Sequence, residues 1–157
     1  MKKRNKKYKP RQVVQNPIQY IMGGFKRPDG EHLTELNVKN HLALVNILNG
    51  TGKRDDWDKL VGMSNMALVL AEVHFDDQYR EMLLSGRDAL LDVGRRYLEI
   101  DRFVLKGEEK TAIEDALEIH EAQLNALRVI DIERAFIEVQ RRVRNKINTI
   151  AVKQKEK

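Results

Sequence analysis

The residues best suited to chemistry are cations, and they gather at the two ends of the chain. Residues 1–11 contain seven lysines and arginines, no acidic residue and a single aromatic residue. Cations interleaved with an aromatic ring are typical of single-stranded nucleic-acid binding, because the cations neutralise phosphates and the ring stacks on a base. The candidate nucleic-acid-binding residues of this N-terminal run are Lys2, Lys3, Arg4, Lys6, Lys7, Tyr8, Lys9 and Arg11.

A second basic run stands near the other end of the chain, at Arg141, Arg142, Arg144 and Lys146. Its spacing places four cations on about two turns of a predicted helix. Like charges four residues apart repel each other, whereas cations at a helix C-terminus are stabilised by the helix dipole, so the two effects nearly cancel. Two interpretations stay open: a solvated helix end matched to the dipole, or a face that binds nucleic acid or an acidic partner.

The net charge of +5 is distributed unevenly along the chain. Residues 1–11 and 141–157 together carry a net charge of +13, and residues 12–140 carry a net charge of −8. Basic ends that flank an acidic body favour contact with nucleic acid through the ends. The acidic body offers an alternative, because it could imitate nucleic acid and bind a basic partner protein. The ends could also pair with the acidic surface of a neighbouring copy.

Nucleophilic and phosphate-binding motifs fail their spacing requirements. The chain has no cysteine, which excludes disulfides, thiolate metal sites and cysteine nucleophiles. The segment Gly62–Met66 lacks the last glycine of a nucleophile elbow and lies in a predicted helix. The pair Gly52-Lys53 lacks the earlier glycine and the following serine or threonine of a phosphate-binding loop. The sequence therefore predicts a protein that is not an enzyme.

The four histidines give no metal-binding motif. None follows a glutamate by three residues, so the paired Glu-x-x-His motif of di-iron bundles is absent. His74 beside two aspartates and His120 beside two glutamates could supply ligands, but a histidine on a helix seam or at a helix end is more often structural. We expect no catalytic residue, no metal and no cofactor.

Hydrophobic periodicity predicts an all-α fold: a four-helix bundle-like domain with a long C-terminal helix, preceded by an extended basic arm. The helices are expected over residues 31–49, 55–73, 76–99 and 111–150. The second of them is apolar around most of its circumference, which predicts that it lies at the centre of the bundle. In the third, Gly86 and Gly94 stand on one i+4 row and indicate close approach of another backbone.

The arm, residues 12–30, carries turn signals at Asn16-Pro17, Gly23-Gly24 and Pro28-Asp29-Gly30. It also carries seven apolar residues, too many for a solvated linker. The arm is therefore expected to pack, either across its own bundle or on another subunit or partner.

The last helix, opened by a predicted capping box at Thr111 and Glu114, would be roughly 60 Å long if unbroken. Its apolar stripe shifts by more than one row between Leu127 and Ile132. We expect either a bend near residues 128–131 or a second half that packs on a different neighbour. The other helices are too short to cover it, which predicts a dimerisation surface.

The basic stretch from Lys3 to Arg11 resembles the starts of small uncharacterised proteins encoded by bacterial phages, prophages and plasmids. That resemblance implies a helical accessory protein of a mobile element. The class contains transcription regulators, nucleic-acid-binding factors and inhibitors of host defence. The resemblance assigns no role to any particular residue.

These observations predict a non-enzymatic helical accessory protein that binds DNA, RNA or a nucleoprotein through its basic ends. The alternative is an inhibitor or adaptor that binds a protein target with its acidic body. The predicted domains are a basic tail and arm over 1–30, a helical domain over 31–150 and a basic tail over 151–157. With no apolar run long enough for a signal peptide or a membrane span, we expect a cytoplasmic homo-oligomer, most simply a dimer, that makes no membrane contact.

Overall fold

The computed structural model describes residues 26–147. Within this range the chain forms five α-helices and no strand, which confirms the predicted all-α class. The helices are α1 (Gly30–Leu48), α2 (Arg54–His74), α3 (Arg80–Ile100), α4 (Gly107–Ala126) and α5 (Val129–Asn145). The N-terminal basic run, residues 12–25 of the arm and residues 148–157 lie outside the described residues.

Acidic side chains satisfy the free backbone N–H groups where the first two helices begin. The carboxylate of Asp29 accepts a hydrogen bond from the backbone N–H of Glu31 at 3.2 Å. The carboxylate of Asp56 accepts one from the backbone N–H of Lys53 at 2.9 Å. Because the first N–H groups of a helix have no partner within the helix, these contacts fix where α1 and α2 start.

The start of α4 differs from its predicted position. Its first residue is Gly107, and the carboxylate of Glu109 accepts the backbone N–H of Lys106 at 2.8 Å. The predicted cap residue Thr111 lies inside the first turns, where its hydroxyl donates to the carbonyl of Gly107 at 3.2 Å. The prediction was wrong because the acidic residue that reaches back stands five residues earlier than the predicted Glu114.

Helix α2 is the centre of the bundle, as predicted. It packs against each of the other four helices. Leu60, Ala67, Leu70 and Ala71 on this helix are fully buried. A helix that is apolar around most of its circumference must be covered on several sides, so the remaining helices surround it.

Glycines allow the close packing around α3. An added Cβ on Gly86 would lie 2.7 Å from the Cβ of Ala116 and 2.9 Å from the carbonyl oxygen of Ala112, so the α4 backbone approaches as the sequence predicted. An added Cβ on Gly94 would lie 2.8 Å from the ring of Trp57. The close neighbour of Gly94 is therefore an aromatic side chain rather than a second backbone.

The predicted C-terminal helix over 111–150 is interrupted, so an unbroken helix is wrong, whereas the expected bend near residues 128–131 and the expected change of packing neighbour are confirmed. Helix α4 ends at Ala126 and α5 begins at Val129, with Leu127 and Arg128 in extended conformation between them. The side chain of Leu127 turns into a cluster with Leu70 of α2. The backbone N–H of Val129 donates to the carbonyl of Lys26 at 3.0 Å, a partner outside the helix. The interruption allows α5 to pack against α2, whereas α4 packs chiefly against α3.

Candidate interaction surfaces

Arg142 belongs to an ion-pair network that joins α5 to α2. Its guanidinium donates to both carboxylate oxygens of Glu72 at 2.9 Å and to Glu138 at 2.7 Å. The side chain is only 15% exposed. Hydrogen bonds from Arg141 and Arg142 lower the pKa of Glu138 to about 2, and the hydrogen bonds that Arg142 donates to Glu72 and Glu138 raise its own pKa. Arg142 is thus a structural cross-link, and a phosphate would have to displace two carboxylates to reach it.

The other three cations of the second basic run remain at the surface. Arg141 pairs with Glu138 at 2.7 Å but is 53% exposed. Arg144 and Lys146 are exposed and have no acidic group within 4.0 Å among residues 26–147. Lys146 ends the helix in the left-handed conformation, with φ of 56°. We call Arg141, Arg144 and Lys146 the basic α5 end.

The two basic segments of the chain join the body at opposite ends of α5. The hydrogen bond between Val129 and Lys26 places the N-terminal entry beside the first residue of α5. The C-terminal run continues from Lys146, seventeen residues later, which corresponds to about 25 Å along a helix. The eight N-terminal candidates precede residue 26, so the structure does not describe whether they approach the basic α5 end.

An acidic cleft lies between α3 and α4. Two cavities of about 370 and 360 Å³ follow the same side of α4. Glu108, Asp115 and Glu118 line them at helical spacing, opposite Tyr79 and Met82 at the beginning of α3. None of the three carboxylates has a basic group within 4.0 Å in the described part of the chain. The cleft therefore combines unpaired negative charge with exposed apolar side chains.

An apolar groove of about 620 Å³ lies on the other side of the bundle, over α2 and between α1 and α5. Its walls include Leu36, Phe136 and Ile137, which are 42%, 54% and 65% exposed. Its floor includes Met63 and Met66 of α2, together with α4 residues. We call this site the apolar groove. The sequence did not predict this groove, because α5 packs over α2 only as a result of the break between α4 and α5.

His120 lies beneath the apolar groove, with 3% of its surface exposed. Its Nδ1 has no hydrogen-bond partner within residues 26–147, and neither does the hydroxyl of the buried Ser64. Burial lowers the pKa of His120 to about 4, against a smaller opposing effect of Gln123. The sequence predicted a histidine on a helix seam, and the structure puts it in the interior, where the lowered pKa favours the neutral imidazole.

No group of three or more histidine and acidic side chains among residues 26–147 is arranged to hold a metal ion. None of the helices in this range is both long and apolar enough to cross a bilayer. Searches found no protein-family model, no curated protein and no solved structure that matches the chain.

Proposed function

We propose that the protein is a non-enzymatic helical accessory protein that binds nucleic acid or a nucleoprotein through its basic ends. The observation that carries the proposal is the segregation of charge. Residues 26–147 contain 19 basic and 23 acidic residues, whereas residues 1–25 contain seven basic residues and no acidic one. The likeness of residues 3–11 to phage and plasmid proteins supports an origin in a mobile element.

The geometry reduces the number of α5 cations that are available to bind nucleic acid. Arg142 is held by two carboxylates, so the α5 contribution comes from the basic α5 end, where Arg144 and Lys146 are exposed. The N-terminal lysines and arginines supply the remaining positive charge. Contacts of this kind release counterions from phosphates without reading bases, so binding should be strongly salt-dependent and tolerant of sequence.

Removing residues 1–11 is expected to lower the affinity for single-stranded DNA and RNA by at least about 100-fold at 50 mM salt. The plot of log affinity against log salt concentration should become shallower, its negative slope smaller in magnitude by about 3, if four of the seven cations contact phosphates. The double variant Arg144→Glu/Lys146→Glu should weaken binding by about tenfold. Fluorescence anisotropy with labelled oligonucleotides, single- and double-stranded, at 50 and 200 mM salt measures all three effects.

A charge-matched control separates local contact from total charge. The variant Lys39→Glu/Arg95→Glu makes the same change in net charge at exposed positions of α1 and α3. It should alter affinity by no more than about twofold, because sites beyond a Debye length are screened. Equal losses of affinity in both double variants would show that the basic α5 end does not contact the nucleic acid. If the full chain binds at neither 50 nor 200 mM salt, the proposed function is refuted.

The acidic cleft supports a second candidate function, which is binding of a basic segment of a partner protein. Three carboxylates that have no basic group within 4.0 Å among residues 26–147 line it beside apolar side chains, a combination that suits a basic amphipathic peptide. The basic tail of a neighbouring copy supplies seven cations and the ring of Tyr8, so residues 1–11 provide a concrete probe for this site.

A synthetic peptide of residues 1–11 is expected to bind a chain that lacks those residues, and to lose at least about fivefold in affinity in the variant Glu108→Gln/Asp115→Asn/Glu118→Gln. Isothermal titration calorimetry at 50 mM salt measures the loss. The control variant Glu31→Gln/Glu99→Gln/Asp101→Asn removes three exposed carboxylates elsewhere and should retain the affinity. If both variants weaken binding equally, the peptide responds to net charge and the acidic cleft is not a site.

A further inference from the structure

The apolar groove leaves large hydrophobic side chains in contact with water. Phe136 and Ile137 are more than half exposed on one wall, and Leu36 is 42% exposed on the other. Contiguous apolar surface of this kind marks a site that another segment or molecule covers. The charges near it are few, since Lys59 and Glu133 are the charged residues along its edge within the described part of the chain.

We propose that residues 12–25 of the same chain cover the apolar groove. The composition of this segment matches the groove: it has no charged residue, although 34% of the whole chain is charged, and it contains Val13, Val14, Ile18, Tyr20, Ile21, Met22 and Phe25. Burying the apolar side chains of this segment lowers the free energy, and the groove offers an apolar surface that none of residues 26–147 fills.

The point at which the segment joins the body favours this site. The carbonyl of Lys26 accepts the backbone N–H of Val129 at 3.0 Å, so the segment begins beside the first turn of α5. Ile132 and Glu133, one turn further along α5, already line the groove. Leu33, in the first turns of α1, packs against the same cluster as Ile132. The segment therefore starts at one end of the groove, between its two walls.

The segment is also long enough. Fourteen extended residues span roughly 45 Å, whereas the distance along α5 from Val129, where the segment joins, to Val139, in the groove, is about 15 Å. A segment tethered at the edge of its site has an effective concentration in the millimolar range. A second copy of the chain at micromolar concentration must compete with that tethered segment, so the chain's own residues are the favoured occupant.

The absence of cysteine from the chain provides a clean test by disulfide trapping. The double variant Gln19→Cys/Glu133→Cys places one thiol in the segment and one on the groove wall. The control Gln19→Cys/Arg134→Cys moves the second thiol by one residue, about 100° around α5 and away from the groove. Both α5 positions are exposed, and their distances from Val129, where the segment joins α5, differ by a single residue.

In a glutathione redox buffer, the Glu133 variant should form an intramolecular disulfide at least about ten times faster than the Arg134 variant. Non-reducing electrophoresis at micromolar protein separates this product from cross-linked dimers. Equal rates in the two variants would refute the proposal, because they would report tethering alone. Cross-linked dimers as the main product would also overturn it and assign the groove to the segment of a second copy.

A deletion provides an independent measurement that does not depend on the choice of cysteine positions. Removing residues 1–25 should uncover the groove and raise the fluorescence of a bound hydrophobic dye several-fold, and adding a peptide of residues 12–25 should reverse the increase. Removing residues 1–11 alone should leave the dye signal unchanged, which separates this proposal from the proposed nucleic-acid binding. A dye signal equal in all three proteins would refute the docking of residues 12–25 in the groove.

Discussion

Lowering the pH from 7.5 to 5 is expected to reduce the free energy of unfolding by about 2 kcal/mol through His120 alone. The pKa of this imidazole is about 4 in the folded protein, against the ordinary histidine value of 6.5 that applies to the unfolded chain. Between these values the unfolded chain takes up a proton that the folded protein excludes, so stability is lost as the pH falls below 6.5. The loss reaches about 3 kcal/mol at pH 4, where half of the folded molecules are protonated at His120, and levels off between about 3 and 3.5 kcal/mol below about pH 3.

Carboxylates act in the same direction but over a lower range of pH. Glu138 has a pKa of about 2, and hydrogen bonds from arginines also hold the pKa values of Glu72 and Asp131 below their usual range. The stability that such groups contribute is present above their unfolded pKa, 4.5 for the two glutamates and 3.8 for Asp131, and is lost as the pH falls below it. The interval from pH 5 to 7.5 therefore isolates the histidine contribution.

Urea unfolding at pH 7.5, 6.5, 5.5 and 5.0 measures the effect. The variant His120→Leu, which fills the site without a titratable group, should give a nearly flat profile over this interval. The variant His74→Gln removes an exposed histidine at the end of α2 and should keep the profile of the parent protein. A parent profile as flat as that of His120→Leu would contradict the burial of a neutral imidazole at this position.

The structural features that follow from local periodicity were predictable from the sequence. The apolar circumference of α2 predicted its central position, and the i+4 row of glycines on α3 predicted the close approach at Gly86. Both depend on residues within one helix, where the spacing of side chains along the sequence determines which face they share. Helix class and the central element were therefore predictable without tertiary information.

The features that depend on distant residues were not predictable in this way. No proline or glycine marks the break between Leu127 and Val129, and the Val129 N–H finds its partner about one hundred residues earlier, at Lys26. Arg142 looked available to an anion because its partner Glu72 is 70 residues away. Long-range pairings of this kind decide which charges are free and which apolar faces remain uncovered, so the sequence could propose sites but not choose among them.

Replacing Gly86 with alanine is expected to lower the free energy of unfolding by about 1–3 kcal/mol, although alanine is the better helix former. The new methyl group would lie 2.9 Å from the carbonyl oxygen of Ala112 and 2.7 Å from the Cβ of Ala116. A backbone carbonyl within a helix cannot rotate away, so α3 and α4 must separate along their interface. Guanidinium unfolding monitored by circular dichroism measures the change.

The same substitution at Gly62 should have the opposite sign. Gly62 lies within α2 at the edge of the apolar groove, and an added Cβ would meet no atom of residues 26–147 within 4 Å, so the main change is in helix propensity. We expect Gly62→Ala to raise the free energy of unfolding by about 0.5–1 kcal/mol. Both substitutions add one methyl group to a glycine within a helix. The difference between their effects on the free energy of unfolding therefore reports the space between α3 and α4. Equal stabilisation by both substitutions would mean that the two helices do not approach as closely as the structure places them.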